Sequence, residues 1–263
     1  MGRTKRILIT ALAVLVGMGF SGMVGKANAQ PGQTLDLSWV QDGIRSLGFI
    51  TAQPFPYLAT IVGGQDAVWN LSEGELIYIR VESGKKVKAG DRLAVARVST
   101  EVKHPLTDKK LGHNVIFPGR IVVLDGNGPI VPAKIEKSFG AINHGDLIVP
   151  LPSSPPPVVS IRTQGRLQGV VISAAEDEWN ISEREVVFID RGTQDGVIVG
   201  DLFSIYTLPY YTQETEKSKE ELPLMKVGEG VVITATPETS TMLVTQSTQA
   251  IYAGDTIVSG KGK

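Results

Sequence analysis

Side chains that commonly carry chemistry are sparse in this sequence of 263 residues, which has three histidines and no cysteine. The histidines are His104, His113 and His144, and only His104 and His113 flank one loop that could bring them together. A structural zinc site needs histidine, cysteine or carboxylate ligands at close spacing, such as His-x-x-x-His, and the sequence has no such spacing. It also has no Gly-x-Ser-x-Gly elbow and no phosphate-binding glycine loop. We therefore expect no metal site, no cofactor and no catalytic residues.

The motif Trp-Asn-x-Ser-Glu-x-Glu occurs twice, at residues 69–75 and 179–185. One interpretation places Trp69 and Trp179 on a platform that stacks against a sugar ring. The other is structural: the tryptophan anchors a core, and Ser72 with Glu75 resembles a capping box around a short turn. The motif favours the structural interpretation, and glycan stacking remains its alternative.

Gly-Asp pairs occur at four positions, 90–91, 145–146, 200–201 and 254–255. Aspartates suggest calcium ligands, but these four are separated along the chain. Glycine supplies a positive φ and aspartate bonds to its own backbone, so turn chemistry explains each pair without a metal. We expect four turns.

The elements that position these motifs form two copies of one unit, because three blocks recur in the same order about 110 residues apart. Residues 69–79 match 179–189, residues 87–93 match 197–203, and residues 138–149 match 247–258. A Pro-rich run between the copies favours extended polyproline geometry and predicts a spacer. The predicted divisions are a signal peptide at 1–29, a helix and linker at 30–57, repeats at 58–149 and 159–259, a linker at 150–158 and a tail at 260–263.

Each copy contains many short runs rich in β-branched residues, separated by turn signals. This pattern predicts a mainly β fold of two tandem small barrels or sandwiches. One stretch, from Thr34 to Leu47, has the helical spacing of Leu37, Val40, Ile44 and Leu47. We therefore also predict one short N-terminal helix, capped by Asp36 or Ser38 and ended by Gly48.

The first residues have the three zones of a secretory signal peptide. Arg3, Lys5 and Arg6 precede an apolar stretch, and Ala27-Asn28-Ala29 places small residues before Gln30. This arrangement predicts cleavage after Ala29; a retained membrane anchor is the alternative, because the apolar stretch approaches spanning length. No later segment is long and apolar enough to cross a bilayer, so we expect no stable membrane span after signal removal.

The charges nearly cancel, with 26 basic and 27 acidic residues. Such a balance gives no electrostatic basis for binding nucleic acid or an anionic membrane surface. Because the chain has no cysteine, an exported form would depend on its hydrophobic core rather than on disulfides.

Two loops differ between the copies. The first, 99–112, is basic and carries Lys103, His104, Pro105 and Lys109; the second, 208–226, carries Tyr210, Tyr211 and a charged run. Loops on a rigid β scaffold often carry binding contacts. We consider these residues candidate partner contacts, with a solvated hairpin tip as the alternative.

The first copy resembles the C-terminal region of bacterial LysM-type, peptidoglycan-associated periplasmic proteins, and is also similar to the C-terminal domain of flagellar assembly protein T. The resembling segments are Gly48–Ile50, Leu71–Glu75, Lys88–Leu93, His104–Gly112 and Ser138–Pro150. The resemblance covers residues 48–150 and, more weakly, 159–259. It implies a small β domain in the cell envelope; no LysM module is present.

These observations together predict a non-enzymatic, exported periplasmic scaffold or adaptor that binds an envelope protein or the cell-wall layer. A peptidoglycan-binding module that uses Trp69 or Trp179 is one alternative. An envelope hydrolase with a scattered site is the other.

Overall fold

A computed structural model of the chain describes residues 33–37, 48–65, 70–152, 158–163, 165–175, 181–209 and 222–259. Within them, the strands are β1 Thr34–Asp36, β2 Phe49–Thr51, β3 Ala59–Gly64, β4 Asn70–Leu71, β5 Leu76–Val81, β6 Arg92–Lys103, β7 Lys110–Val123, β8 Ile130–Ser138, β9 Ile142–Asn143, β10 Leu147–Pro150, β11 Val158–Ser160, β12 Gln168–Ala174, β13 Val186–Ile189, β14 Leu202–Thr207, β15 Met225–Ala235, β16 Ser240–Ser247 and β17 Thr256–Ser259. One 3₁₀ turn covers Thr193–Asp195.

The strands form two closed six-stranded barrels in tandem. In the first, β7, β6, β10, β3, β5 and β8 pair in that order, and β8 pairs with β7 to close the ring, while β2 extends the sheet beside β7. In the second, the ring is β12, β13, β16, β15, β14 and β17. The prediction of a mainly β fold in two small domains is confirmed, and each domain is a barrel.

The two barrels have the same circular strand order, because β3, β5, β6, β7, β8 and β10 correspond to β12, β13, β14, β15, β16 and β17. The register agrees in detail: Ile77 lies opposite Ala133 in the first barrel, and Val187 lies opposite Met242 in the second. Identical topology and register in both halves match the duplication that the sequence motifs indicate.

Each barrel encloses its own apolar core. Ile61, Ile77 and Ile79 lie inside the first, and their counterparts Val171, Val187 and Ile189 lie inside the second. Alternation along β5, where Ile77 and Ile79 are fully buried while Tyr78 is exposed, is the period of a strand with one face on a core. The repeated apolar residues therefore serve the barrel interiors.

The repeated Gly-Asp pairs form equivalent turns, one at each of four barrel corners. Each aspartate accepts a hydrogen bond from the backbone N–H three residues before it, at 2.8–2.9 Å, and each glycine has a positive φ of 87–97°. These carboxylates close turns, and no group of three or more His, Cys, Asp or Glu side chains that could hold a metal occurs in the described part of the chain.

The predicted N-terminal helix is wrong at its start, because Thr34–Asp36 forms strand β1, which pairs antiparallel with β11. Leu35 and Leu37 turn toward one apolar cluster while Thr34 and Asp36 face solvent, a period of two that the helical spacing concealed. Pairing with a strand distant in sequence outweighs the weak local preference for helix. Residues 38–47 of the predicted helix lie outside the described residues.

Candidate functional site

The first barrel carries a projecting element that we call the arm. It consists of β2 and of residues 98–115, where β6 and β7 continue as a hairpin beyond the barrel wall. Phe49, Phe55 and Phe117 pack with ring centroids 5.8–6.5 Å apart against the base of the arm. The aromatic cluster gives this long hairpin an apolar support.

The arm packs on the outer wall of the second barrel. Ile50 and Leu111 from the arm join Val186, Phe188 and Leu243 in one buried cluster. Phe188 is fully buried there, and a Cβ atom at Gly48 would lie 3.3 Å from its ring. Burial of apolar area stabilises this contact by about 25 cal/mol per Å² removed from water.

Two buried hydrogen bonds fix the register of the arm on the second barrel. The Thr241 hydroxyl donates to the Gly48 carbonyl at 2.6 Å, and Asn114 Nδ2 donates to the Ala175 carbonyl at 3.1 Å. Bonds between buried groups are directional, so they restrict sliding that an apolar contact alone would allow.

His104, at the arm tip, makes a third polar contact. Its Nδ1 accepts hydrogen bonds from the Leu106 and Thr107 N–H groups, so the ring proton lies on Nε2, which is 3.3 Å from Asp190 Oδ2 in the second barrel. Both side chains are largely buried, at 13% and 11% exposed. The loop whose residues the sequence analysis considered candidate partner contacts therefore makes an intramolecular contact at His104, with Asp190 of the second barrel.

A cleft of about 350 Å³ lies between the arm tip and the second barrel. Its walls combine basic, acidic and amide side chains around one apolar residue: His104, Lys109, Leu111, Asp190, Arg191, Gln194, Asp195 and Glu238. Charges of both signs suit a polar peptide segment more than a polyanion.

In Asp190, the most buried carboxylate of the cleft, both oxygens already have hydrogen-bond partners. Oδ1 accepts the Val170 N–H at 2.6 Å, and Oδ2 lies 3.0 Å from Arg191 Nη1 as well as near His104. Asp195 likewise accepts the Gly192 N–H at 3.0 Å. These acids hold loops in place, and neither is paired with a nucleophile in the manner of a catalytic dyad.

The barrels differ electrostatically at one equivalent corner. In the first barrel, Arg97 donates to both oxygens of buried Asp146, at 2.8 and 2.7 Å, and this bond raises the pKa of Arg97. In the second, the corresponding Asp255 has Thr207 in place of the arginine. Burial raises the pKa of Asp255, and hydrogen bonds from Thr207 and the Tyr252 N–H offset part of that rise.

The predicted site residues are distributed unevenly. Lys103, Pro105 and Lys109 are exposed on the arm tip, and Lys109 borders the cleft. His113 contacts the Ser99 carbonyl, so His104 and His113 have different partners. Trp69, Trp179, Tyr210, Tyr211 and the cleavage residues Ala27, Ala29 and Gln30 lie outside the described residues.

Sequence reasoning missed the far wall of the cleft, which consists of Asp190, Arg191, Gln194, Asp195 and Glu238. These residues fall in turns after β13 and β15, where polar side chains are ordinary. Asp190-Arg191 differs from Arg80-Val81 at the corresponding place in the first copy, and such differences within a repeat were the available signal.

A comparison with protein-family models and with curated proteins found no match to this chain. The helical part of the described residues contains no segment of the length and apolarity needed to cross a membrane.

Proposed function

We propose that this chain is a non-enzymatic scaffold or adaptor of the bacterial cell envelope, which holds a partner protein at the cleft between its barrels. The observation that carries the proposal is the seating of the arm on the second barrel. Buried contacts from Ile50, Leu111, Asn114 and Thr241 join two barrels into one body and form a recess at the seam. A rigid recess on a stable scaffold is a common setting for binding residues.

The chemistry of the cleft supports recognition rather than turnover. Asp190, its most buried acid, is occupied by backbone and arginine contacts, and the exposed Asp195 accepts a backbone N–H, while Lys109, Gln194 and Glu238 stand at its walls. Leu106, at 66% exposed, adds an apolar contact point at the arm tip. An extended polar segment with one apolar side chain matches this combination.

Site-specific photo-crosslinking in the producing cell tests the proposal. A photoreactive residue at Lys109 or Leu106 should give one discrete crosslinked protein, whereas the same residue at Ile198, which is 44% exposed and does not line the cleft, should not. Equal labelling at all three positions, or turnover of cell-wall fragments by the purified chain, would contradict it. Co-sedimentation with peptidoglycan sacculi that is lost in Trp69→Ala or Trp179→Ala would favour the glycan-binding alternative instead.

Export is the second part of the proposal, and the Ala27-Asn28-Ala29 site supports it. The mature protein recovered from the periplasm should begin at Gln30. Ala29→Trp should block cleavage, because the peptidase accepts only small residues there, whereas Gln30→Ala should leave cleavage intact. Recovery of the uncleaved chain from the cytoplasm would contradict export.

A further inference from the structure

The loop that joins β7 to β8 contains the only Asn-Gly pair in the sequence, Asn127-Gly128. Both residues are exposed, and the loop connects the two strands whose pairing closes the first barrel. Asparagine is among the thermolabile residues, because the backbone nitrogen of the following residue can attack its carboxamide. A following glycine leaves that nitrogen unshielded, since glycine has no Cβ atom.

The surroundings of Gly128 leave its backbone nitrogen accessible. A Cβ atom at Gly128 would have no neighbour nearer than the Ile130 carbonyl oxygen, 4.0 Å away. Among the residues that the structure describes, no group accepts a hydrogen bond from the Gly128 N–H. The φ of Gly128 is +97°, a conformation that favours glycine, so the turn itself requires the residue that makes Asn127 reactive.

Two Asp-Gly pairs that could cyclise in the same way have more restrictive surroundings. At Asp125-Gly126, a Cβ atom on the glycine would lie 2.5 Å from the Val87 carbonyl oxygen, so the backbone is packed against a neighbouring turn. At Asp195-Gly196, the glycine N–H donates a hydrogen bond to the Thr193 carbonyl at 3.1 Å. The structure therefore distinguishes Asn127 from the other candidate positions.

We infer that Asn127 is a site of spontaneous deamidation and isoaspartate formation. The Gly128 nitrogen loses its proton to solvent and bonds to Asn127 Cγ, the Cγ–Nδ2 bond breaks, and ammonia leaves after taking up a proton. Water then opens the resulting succinimide. Cleavage of the new N–Cγ bond gives aspartate, whereas cleavage of the original peptide bond gives isoaspartate, in which the main chain runs through Cγ.

Asp125 is a positioning residue that slows this reaction. Its Oδ1 accepts hydrogen bonds from the Asn127 N–H at 3.1 Å and from Asn127 Nδ2 at 2.7 Å, so the carboxamide is turned toward residue 125. Cyclisation requires the carboxamide to swing toward the Gly128 nitrogen instead. The carboxylate also disfavours loss of the proton from that nitrogen, because a second negative charge would then lie nearby.

Isoaspartate at this position would loosen the closure of the first barrel, because it adds a methylene group to the main chain of the hairpin. The hydrogen bonds nearest the loop join the Val81 N–H to the Pro129 carbonyl and the Leu124 N–H to the Pro132 carbonyl, both at 2.9 Å. The corresponding hairpin of the second barrel turns at 236–239, which contains neither asparagine nor aspartate. The inference is independent of the proposed function, since this loop does not line the cleft.

Timed incubation of the full chain across a pH series tests this inference. Tryptic mapping isolates the peptide 121–134, and protein isoaspartate methyltransferase reports isoaspartate in it directly. The greater part of Asn127 should convert, faster at higher pH, while Asn114 and Asn143 stay intact. Asn127→Gln, whose cyclisation needs a larger ring, is the control and should give no methylation of this peptide. Asp125→Ala should convert faster than the unmodified chain.

Three results would overturn the site: an intact Asn127, conversion no faster than that of Asn143, or equal methylation in Asn127→Gln. Slower conversion in Asp125→Ala would overturn the role of Asp125. The converted fraction carries an extra negative charge, so ion exchange separates it. Its Val81 and Leu124 N–H groups should exchange with deuterium faster than in the fresh chain, and unchanged exchange would overturn the effect on barrel closure.

Discussion

Arg97 donates hydrogen bonds to both carboxylate oxygens of Asp146. At the equivalent place in the second barrel, the aspartate is present as Asp255, but Thr207 stands where the arginine would be. Asp146 is only 5% exposed, so removal of Arg97 would leave its carboxylate buried without this partner. We expect Arg97→Ala to lower the free energy of unfolding by about 3 kcal/mol, because it strands a buried carboxylate. Urea denaturation measures the change.

The matched control is Thr207→Ala, at the equivalent position of the second barrel. It removes one hydrogen bond and should cost about 1 kcal/mol. Equal losses from both variants would mean that the ion pair contributes nothing beyond an ordinary hydrogen bond.

Asp255 should make stability depend on pH in the direction opposite to that of a salt-bridged carboxylate. Burial raises its pKa in the folded state above the ordinary value of 3.8, so its stabilising contribution is complete below that pH. This contribution is lost as pH rises through the folded-state pKa. Asp255→Asn stays neutral, so it should gain stability relative to the unmodified chain between acidic and neutral pH.

Thr207→Arg tests the same group by restoring the missing cation. The new arginine should lower the pKa of Asp255 and flatten the pH dependence of unfolding, as Asp255→Asn does. A stability difference that does not change with pH in either variant would contradict this account of Asp255. Thermal unfolding across a pH series provides the measurement.

Gly112 has no room for a side chain where β2 meets the hairpin of the arm. Its φ is +127°, and a Cβ atom would lie 2.2 Å from the Thr51 carbonyl oxygen. Gly112→Ala should therefore displace β2 and cost about 2–3 kcal/mol. Because the chain has no cysteine, spin labels at introduced Lys109→Cys and Glu238→Cys sites should also show a broader distance distribution.

Gly140→Ala is the control for that variant, because the nearest atom to its Cβ would be 4.0 Å away. It should leave both stability and the label distance unchanged. A Gly112→Ala protein with a native distance distribution would show that β2 does not hold the hairpin of the arm in place.

Arg184 adopts the backbone conformation that Gly74 adopts in the first copy, with φ values of 70° and 90°. Their N–H groups make equivalent bonds, to the carbonyls of Val244 and Ile135. A left-handed conformation costs a non-glycine residue about 1 kcal/mol. We therefore expect Arg184→Gly to raise, and Gly74→Arg to lower, the free energy of unfolding by about that amount in denaturant titrations. A loss of stability in Arg184→Gly would show that the arginine side chain compensates for its strain.

The barrel interiors and the corner turns were predictable from sequence. Alternation around Tyr78 and the repeated Gly-Asp pairs act within a few residues of one another, so local pattern suffices. The helix predicted from Thr34 failed because β1 pairs with β11, a partner about 120 residues away that no local pattern reveals. The wall of the cleft at Asp190 and Glu238 was not predicted for the same reason, because residues distant in sequence meet there.

By itself, the sequence determined that this protein is built twice from one β unit, because repeated apolar spacing and turn residues specify local structure directly. Only the tertiary structure decided that the arm of the first barrel covers Phe188 of the second and leaves Tyr78 exposed. Phe188 and Tyr78 occupy the same place in the repeat, and they differ in burial because the arm packs on Phe188 and not on Tyr78. That asymmetry depends on contacts between distant segments, and it separates the surface that holds the chain together from the surface that remains available.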